Sequence, residues 1–160
     1  MTKFTLAVVI TLAVLAAGIT KIADLDFWWQ MKAGQLVVEN RAVPRADVFS
    51  YTAQGHEYVD HEWLFQVIQY ATYSVAGPAG IALLKCLLVS LTLLIIALHL
   101  LERGVDPWLI GGLVLLSIAG GITRMIERPV LFSTLFAVIT FVICATSANI
   151  VQWYNIKTHK

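Results

Sequence analysis

The chain has 160 residues, of which 59% are hydrophobic and 13% charged, with a mean hydropathy of +0.78. Those values lie outside the range of ordinary soluble domains and define an integral membrane protein. A formal net charge of +1, with no basic patch or acidic tail, excludes a nucleic-acid partner.

Phe4 to Ile19 is uncharged and follows Lys3, so it reads as a first transmembrane helix (4–22) or as a signal-peptide core. The retained helix is the expectation, because further apolar runs follow. Asp24–Leu64 is the only long polar segment, and it lies within an external loop expected at 23–78. Seven of the ten acidic residues fall within Asp24–Leu64, with three of the five tryptophans and two of the four histidines. Any chemistry belongs there.

Asp24 or Asp26 can cap a helix running to about Asn40, since a carboxylate accepts from free amides at a helix N-terminus. Trp29, Ala33, Leu36 and Val37 share one face of it, with Gln30, Gln35 and Glu39 away from that face. This predicts an amphipathic helix in the membrane interface, where Trp28 and Trp29 suit headgroup depth. Asn40 to Asp60 has Pro44, Gly55 and no helical period. An ordered loop is predicted, with an extended pair at 48–52 and 57–59 joined by Ala-Gln-Gly. A second helix begins at Asp60, turns Leu64, Val67, Ile68 and Ala71 to its apolar side, and stops at Gly77-Pro78.

Three more apolar runs follow, at 79–101, 107–123 and 129–151, before a tail at 152–160. Each approaches the ~20 residues that a ~30 Å hydrocarbon core requires of a helix. Lys85 is expected to snorkel to the interface, and His99 sits near a span end. Ser117 and Gly121 have the small-xxx-small spacing of close helix packing in lipid. Cys86 and Cys144 read as small apolar residues with no disulfide between them. The predicted fold is an all-α integral membrane protein of about four transmembrane helices. Its long external loop carries amphipathic interfacial helices, and both termini are cytoplasmic.

Taken as residues alone, Asp24 and Asp26 are either a helix cap beside a solvated acid or a pair able to bind a divalent cation or act as a general base. His61 and Glu62 begin like a zinc motif, but position 65 is Phe, so the partner histidine is missing and a role tying loop to helix is expected. Arg124 and Arg128 can grip a lipid phosphate, or anchor the interface with Glu127. Trp28, Trp29, Trp63 and Tyr70 read as an aromatic belt, with sugar stacking as the alternative.

Asp24-Leu25-Asp26-Phe27-Trp28-Trp29, then Gly34, Val43-Pro44-Arg45-Ala46-Asp47-Val48-Phe49-Ser50-Tyr51-Thr52, Gly55 and His61-Glu62-Trp63-Leu64, form an ordered series. It resembles the N-terminal part of bacterial GT-C-type polytopic membrane glycosyltransferases, as does the run Arg128-Pro129-Val130-Leu131-Phe132-Ser133. The resemblance implies a location in a bacterial cytoplasmic membrane, an external loop with acidic catalytic or metal-binding residues, and a polyprenyl-phosphate-linked sugar donor. On that footing Asp26, Asp24 and Glu62 are the catalytic candidates and Arg124, Arg128, His61 and Trp29 the substrate-binding ones. Asp24 and Asp26 would hold Mg or Mn. Such enzymes have eight or more spans, whereas about four are predicted here. The expected function is therefore a non-catalytic membrane subunit or scaffold on a truncated GT-C-like fold, with membrane lipids and partner membrane proteins or an oligomer around it. The alternative is a glycosyltransferase, or part of one.

Overall fold

The computed structural model describes residues 3–19, 22, 24–121 and 127–158, with the backbone alone for Lys3 and for 149–158. It is helical throughout, with no strand among the described residues. The helices are α1 (Lys3–Gly18), α2 (Phe27–Asn40), α3 (Trp63–Glu102), α4 (Pro107–Gly121) and α5 (Val130–Thr158). Two stretches are long and apolar enough to cross a membrane, Trp63–Glu102 and Val130–Ala148, while Phe4–Gly18 and Pro107–Gly121 are shorter apolar helices.

The chain divides into two compact units. The first takes Met1–Gly18, Cys86–Met125 and Val130–Lys160. Its core is one contiguous cluster in which Leu6, Ile10 and Val14, spaced four apart on α1, meet Ile110, Val114 and Ile118 of α4 and Cys86 and Ala97 of α3. The i, i+4 spacing puts each set on a single helix face. Asp106 starts α4 by accepting the amides of Trp108 (2.8 Å) and Leu109 (3.2 Å), with Pro107 in the first turn, where its missing N–H costs nothing. Elsewhere the apolar residues turn outward. Leu109, Leu113, Leu115 and Leu116 on α4, and Phe136, Phe141 and Ile143 on α5, are exposed. Cys86 is buried and Cys144 exposed, and no disulfide joins them.

The second unit comprises Ile19–Lys85 and Ile126–Pro129. Here α2 ends at Arg41, whose left-handed backbone (φ 51°) breaks the helical run. Its buried face is Phe27, Gln30, Ala33, Gly34 and Val37, turned from the expected Trp29/Leu36 stripe. The cause is Gly34, which lies directly against the backbone carbonyl of Gln66. Phe27, fully buried, takes edge-on contacts from Trp28 and Tyr73 at 5.0 and 5.9 Å between centroids.

The loop pairs differently from expectation. Ala46 bridges Glu57, with Asp47 N–H donating to His56 O (2.9 Å) and Tyr58 N–H to Arg45 O (2.9 Å). Residues 48–52 are not extended, because the Asp47 carboxylate accepts the amides of Phe49 and Ser50 (2.8 Å each) and folds them into a turn. Gly55 (φ 82°) closes the connection.

Helix α3 is interrupted at Gly77 (φ 59°, ψ −153°), a backbone state open to glycine alone, and Pro78 restarts it. Before the break its buried residues are Gln66 and Gln69, whereas Trp63, Leu64 and Val75 are exposed. The expected apolar side is thus not the buried one.

Candidate functional site

The second unit gathers its polar groups around Arg128. Its Nε donates to Asp24 Oδ2 (2.8 Å) and its Nη2 to Asp24 Oδ1 (3.0 Å), the two-pronged arrangement that planar guanidinium and carboxylate favour. Nη2 also donates to Asp26 Oδ2 (3.1 Å). Asp24 Oδ1 accepts the Asp26 amide (3.1 Å), and Asp26 Oδ1 accepts Trp29 Nε1–H (3.2 Å). All four carboxylate oxygens therefore have donors within the chain. Asp26 precedes α2 as its cap residue, but its side chain makes no bond to the helix amides, because it is turned to Arg128 and Trp29.

The electrostatics follow. Burial pushes the Asp24 carboxyl up, but the Arg128 bond, the Asp26 amide and the Arg128 charge together outweigh it, and the group sits below its ordinary 3.8. The Asp24 bond and charge raise Arg128 in turn. Arg128 supplies the positive charge that a divalent cation would bring to this pair. No group of three or more His, Cys, Asp or Glu among the described residues is placed to hold a metal ion.

A cavity of about 390 Å³ opens beside this cluster, and Asp26, Trp29, His61, Glu62 and Arg128 all line it. Five of the residues singled out in the sequence therefore share one site. Asp24 stands behind it, its side chain 1% exposed. Arg124 lies outside the described residues. Trp29 also meets Phe49 edge-on at 6.1 Å, and His61 is on the exposed rim.

Sequence reasoning missed the floor. Gln30 Nε2 donates to Glu62 Oε2 (3.1 Å), and Gln66 Nε2 donates to Asp60 Oδ1 (2.9 Å), which also accepts the Glu62 amide (3.1 Å). The Glu62 side chain thus ties the start of α3 to α2 through Gln30. The available signal was Gln66 and Gln69 three apart in an otherwise apolar helix, a polar stripe that a membrane protein turns inward. Tyr58, also on the cavity wall, has its phenol pushed above 10.0 by burial and by the charges of Asp60, Asp47 and Glu62.

Lys85 corrects a second expectation. It does not snorkel to the interface but is buried, with Nζ 2.7 Å from Glu127 Oε1 and side chains 2% and 3% exposed. Glu127 is engaged with Lys85, while Arg128, one of the two arginines expected to pair with it, is bonded to Asp24 and Asp26.

Comparison with protein-family models, with curated proteins and with solved structures finds no match to the chain.

Proposed function

We propose that the chain is a non-catalytic membrane subunit or scaffold on a GT-C-like arrangement. Four helices cross the bilayer, segment 23–78 is external, and both termini are cytoplasmic. The observation that carries this reading is the Asp24–Arg128–Asp26 cluster, in which the guanidinium bonds and neutralises both carboxylates, and this weakens them as bases and as metal ligands. Helix α3 is broken at Gly77, and at about 1.5 Å per residue the part after the break is long enough for a ~30 Å hydrocarbon core. That part is assigned to the bilayer and the part before it to the external segment, while α1 and α4 are shorter apolar helices. The outward apolar faces of α4 and α5 then meet lipid or a partner chain.

A second reading, a glycosyltransferase acting on a polyprenyl-phosphate-linked sugar, is favoured by the shared cavity that brings Asp26 and Glu62 together with Arg128, His61 and Trp29. Asp26→Asn separates the two. It keeps the side-chain shape and removes the charge, and acid–base catalysis is typically worth ~10²–10⁴-fold. Normal assembly with normal glycan transfer supports the scaffold, whereas normal assembly with transfer abolished overturns it. Orientation is tested with Gln54→Cys and Thr158→Cys. An impermeant maleimide should label the first in intact cells and not the second, and the reverse pattern refutes the topology.

A further inference from the structure

We infer that the cavity in the second unit binds a primary ammonium group through the unpartnered oxygens of Gln30, Gln66 and Asp60. The three residues are 4%, 0% and 8% exposed, and all three line the cavity. Each keeps one oxygen without a hydrogen-bond partner, Oε1 of Gln30, Oε1 of Gln66 and Oδ2 of Asp60. The orientation of the two amides is fixed, because their N–H groups donate to Glu62 and Asp60. Each of the three residues therefore keeps a buried acceptor whose desolvation is not compensated within the chain. The oxygens belong to one network, since Asp60 Oδ1 accepts from both Gln66 and the Glu62 amide, and Glu62 accepts from Gln30.

Such a floor calls for a ligand made of donors, and the charge sets its sign. Arg128 is the cation on the cavity wall and is already bonded to Asp24 and Asp26, and neither Asp60 nor Glu62 makes an ion pair among the described residues. The Tyr58 phenol is raised first by its burial and then by the charges of Asp60, Asp47 and Glu62. An ammonium group has three N–H donors and no acceptor, which matches three vacant oxygens. Calcium takes six to eight oxygens and magnesium a near-ideal octahedron, more than this set offers. A quaternary ammonium brings no N–H and instead prefers an aromatic cage. The volume, about 390 Å³, suits a small amine or a lipid headgroup. The inference holds for either function proposed above.

The test uses the full chain in delipidated detergent micelles and reads the thermal unfolding midpoint, which rises with a ligand that binds only the folded state. Additions at matched ionic strength are ethanolamine, choline, magnesium chloride, phosphatidylethanolamine and phosphatidylcholine. The expected result is a saturable rise with phosphatidylethanolamine and none with phosphatidylcholine, choline or magnesium. A rise with free ethanolamine as well assigns the site to soluble amines too, and a rise with the lipid alone assigns it to the headgroup. Gln30→Met and Gln66→Met each remove one acceptor at similar volume and should weaken the apparent affinity at least ~10-fold. Equal effects of ethanolamine and choline compounds, a rise with magnesium alone, no rise with any amine, or full affinity in both variants overturns the inference. The comparison of amines on the unaltered chain decides the matter even if neither variant folds.

Discussion

The guanidinium of Arg128 holds the carboxylate of Asp24, 104 positions earlier in the chain, by two bonds of 2.8 and 3.0 Å. The bond fixes the entry to α2 against the turn that precedes α5. Asp24 is buried, but Arg128 keeps 46% of its side chain exposed, so solvent screens part of the attraction. An exposed pair contributes at most ~1 kcal/mol, and breaking a fully buried one costs ~3–5 kcal/mol. Arg128→Ala should therefore destabilise the protein, and Arg128→Lys, which cannot make the two-pronged bond, nearly as much. Unfolding in detergent measures both, and a lysine variant as stable as the parent would show that charge alone suffices.

The same bond predicts a pH dependence. Asp24 has a depressed pKa in the folded state, so its contribution is fully present above the unfolded value near 3.8 and is lost as pH falls through the lower folded value. Acid below about pH 4 should destabilise the parent, and Asp24→Asn should remove that part of the slope while lowering stability at neutral pH. Identical acid slopes in the two proteins would exclude Asp24 as the source.

Much of the helical plan is legible in the sequence. The end at Asn40 and the Gly77-Pro78 break each rest on local backbone chemistry, which a few neighbouring residues decide. Asp26, Arg128, Glu62, His61 and Trp29 could each be picked out singly. Their convergence on one cavity could not, since it depends on chain segments about 100 residues apart meeting in space. The buried faces of α2 and α3 were misassigned for one reason. The expectation placed apolar residues inside, whereas Gln30, Gln66 and Gln69 point inward and Trp63, Leu64 and Val75 outward. Gln30 and Gln66 are drawn inward by hydrogen-bond partners, the carboxylates of Glu62 and Asp60, that the apolar pattern does not reveal.

Lys85 and Glu127 make a buried ion pair, and such pairs have asymmetric energetics. Removing one partner leaves a buried charge and costs ~3–5 kcal/mol, while replacing both with apolar residues of similar size is often neutral or stabilising. Lys85→Met and Glu127→Leu should each lower the yield of folded protein sharply. The double variant should recover most of it. A double variant no better than the worse single one would mean that the pair is needed for something other than its own neutralisation.

The last prediction concerns two kinds of glycine. At Gly34 an added methyl would collide with the carbonyl oxygen and carbon of Gln66, backbone atoms that cannot turn aside as a side-chain end can. It would also crowd Cβ of Tyr70 at 3.1 Å, so α2 would have to move away from the first part of α3. That movement loosens the Gln30–Glu62 bond, which bridges the loop and α2, and with it the floor of the cavity. Gly112 and Gly120 on α4 have open space where a methyl would go, and alanine is the better helix former by about 1 kcal/mol. Gly34→Ala should therefore lower the unfolding midpoint and abolish the response to phosphatidylethanolamine, whereas Gly112→Ala and Gly120→Ala should leave both unchanged or raise the midpoint slightly. If α4 docks on a partner chain through its glycines, the isolated protein will still tolerate these two alanines, and the cost will appear only as loss of the partner on co-purification from the membrane. A Gly34→Ala protein with an unaltered midpoint would show that α2 and α3 do not lie as close as their backbones indicate.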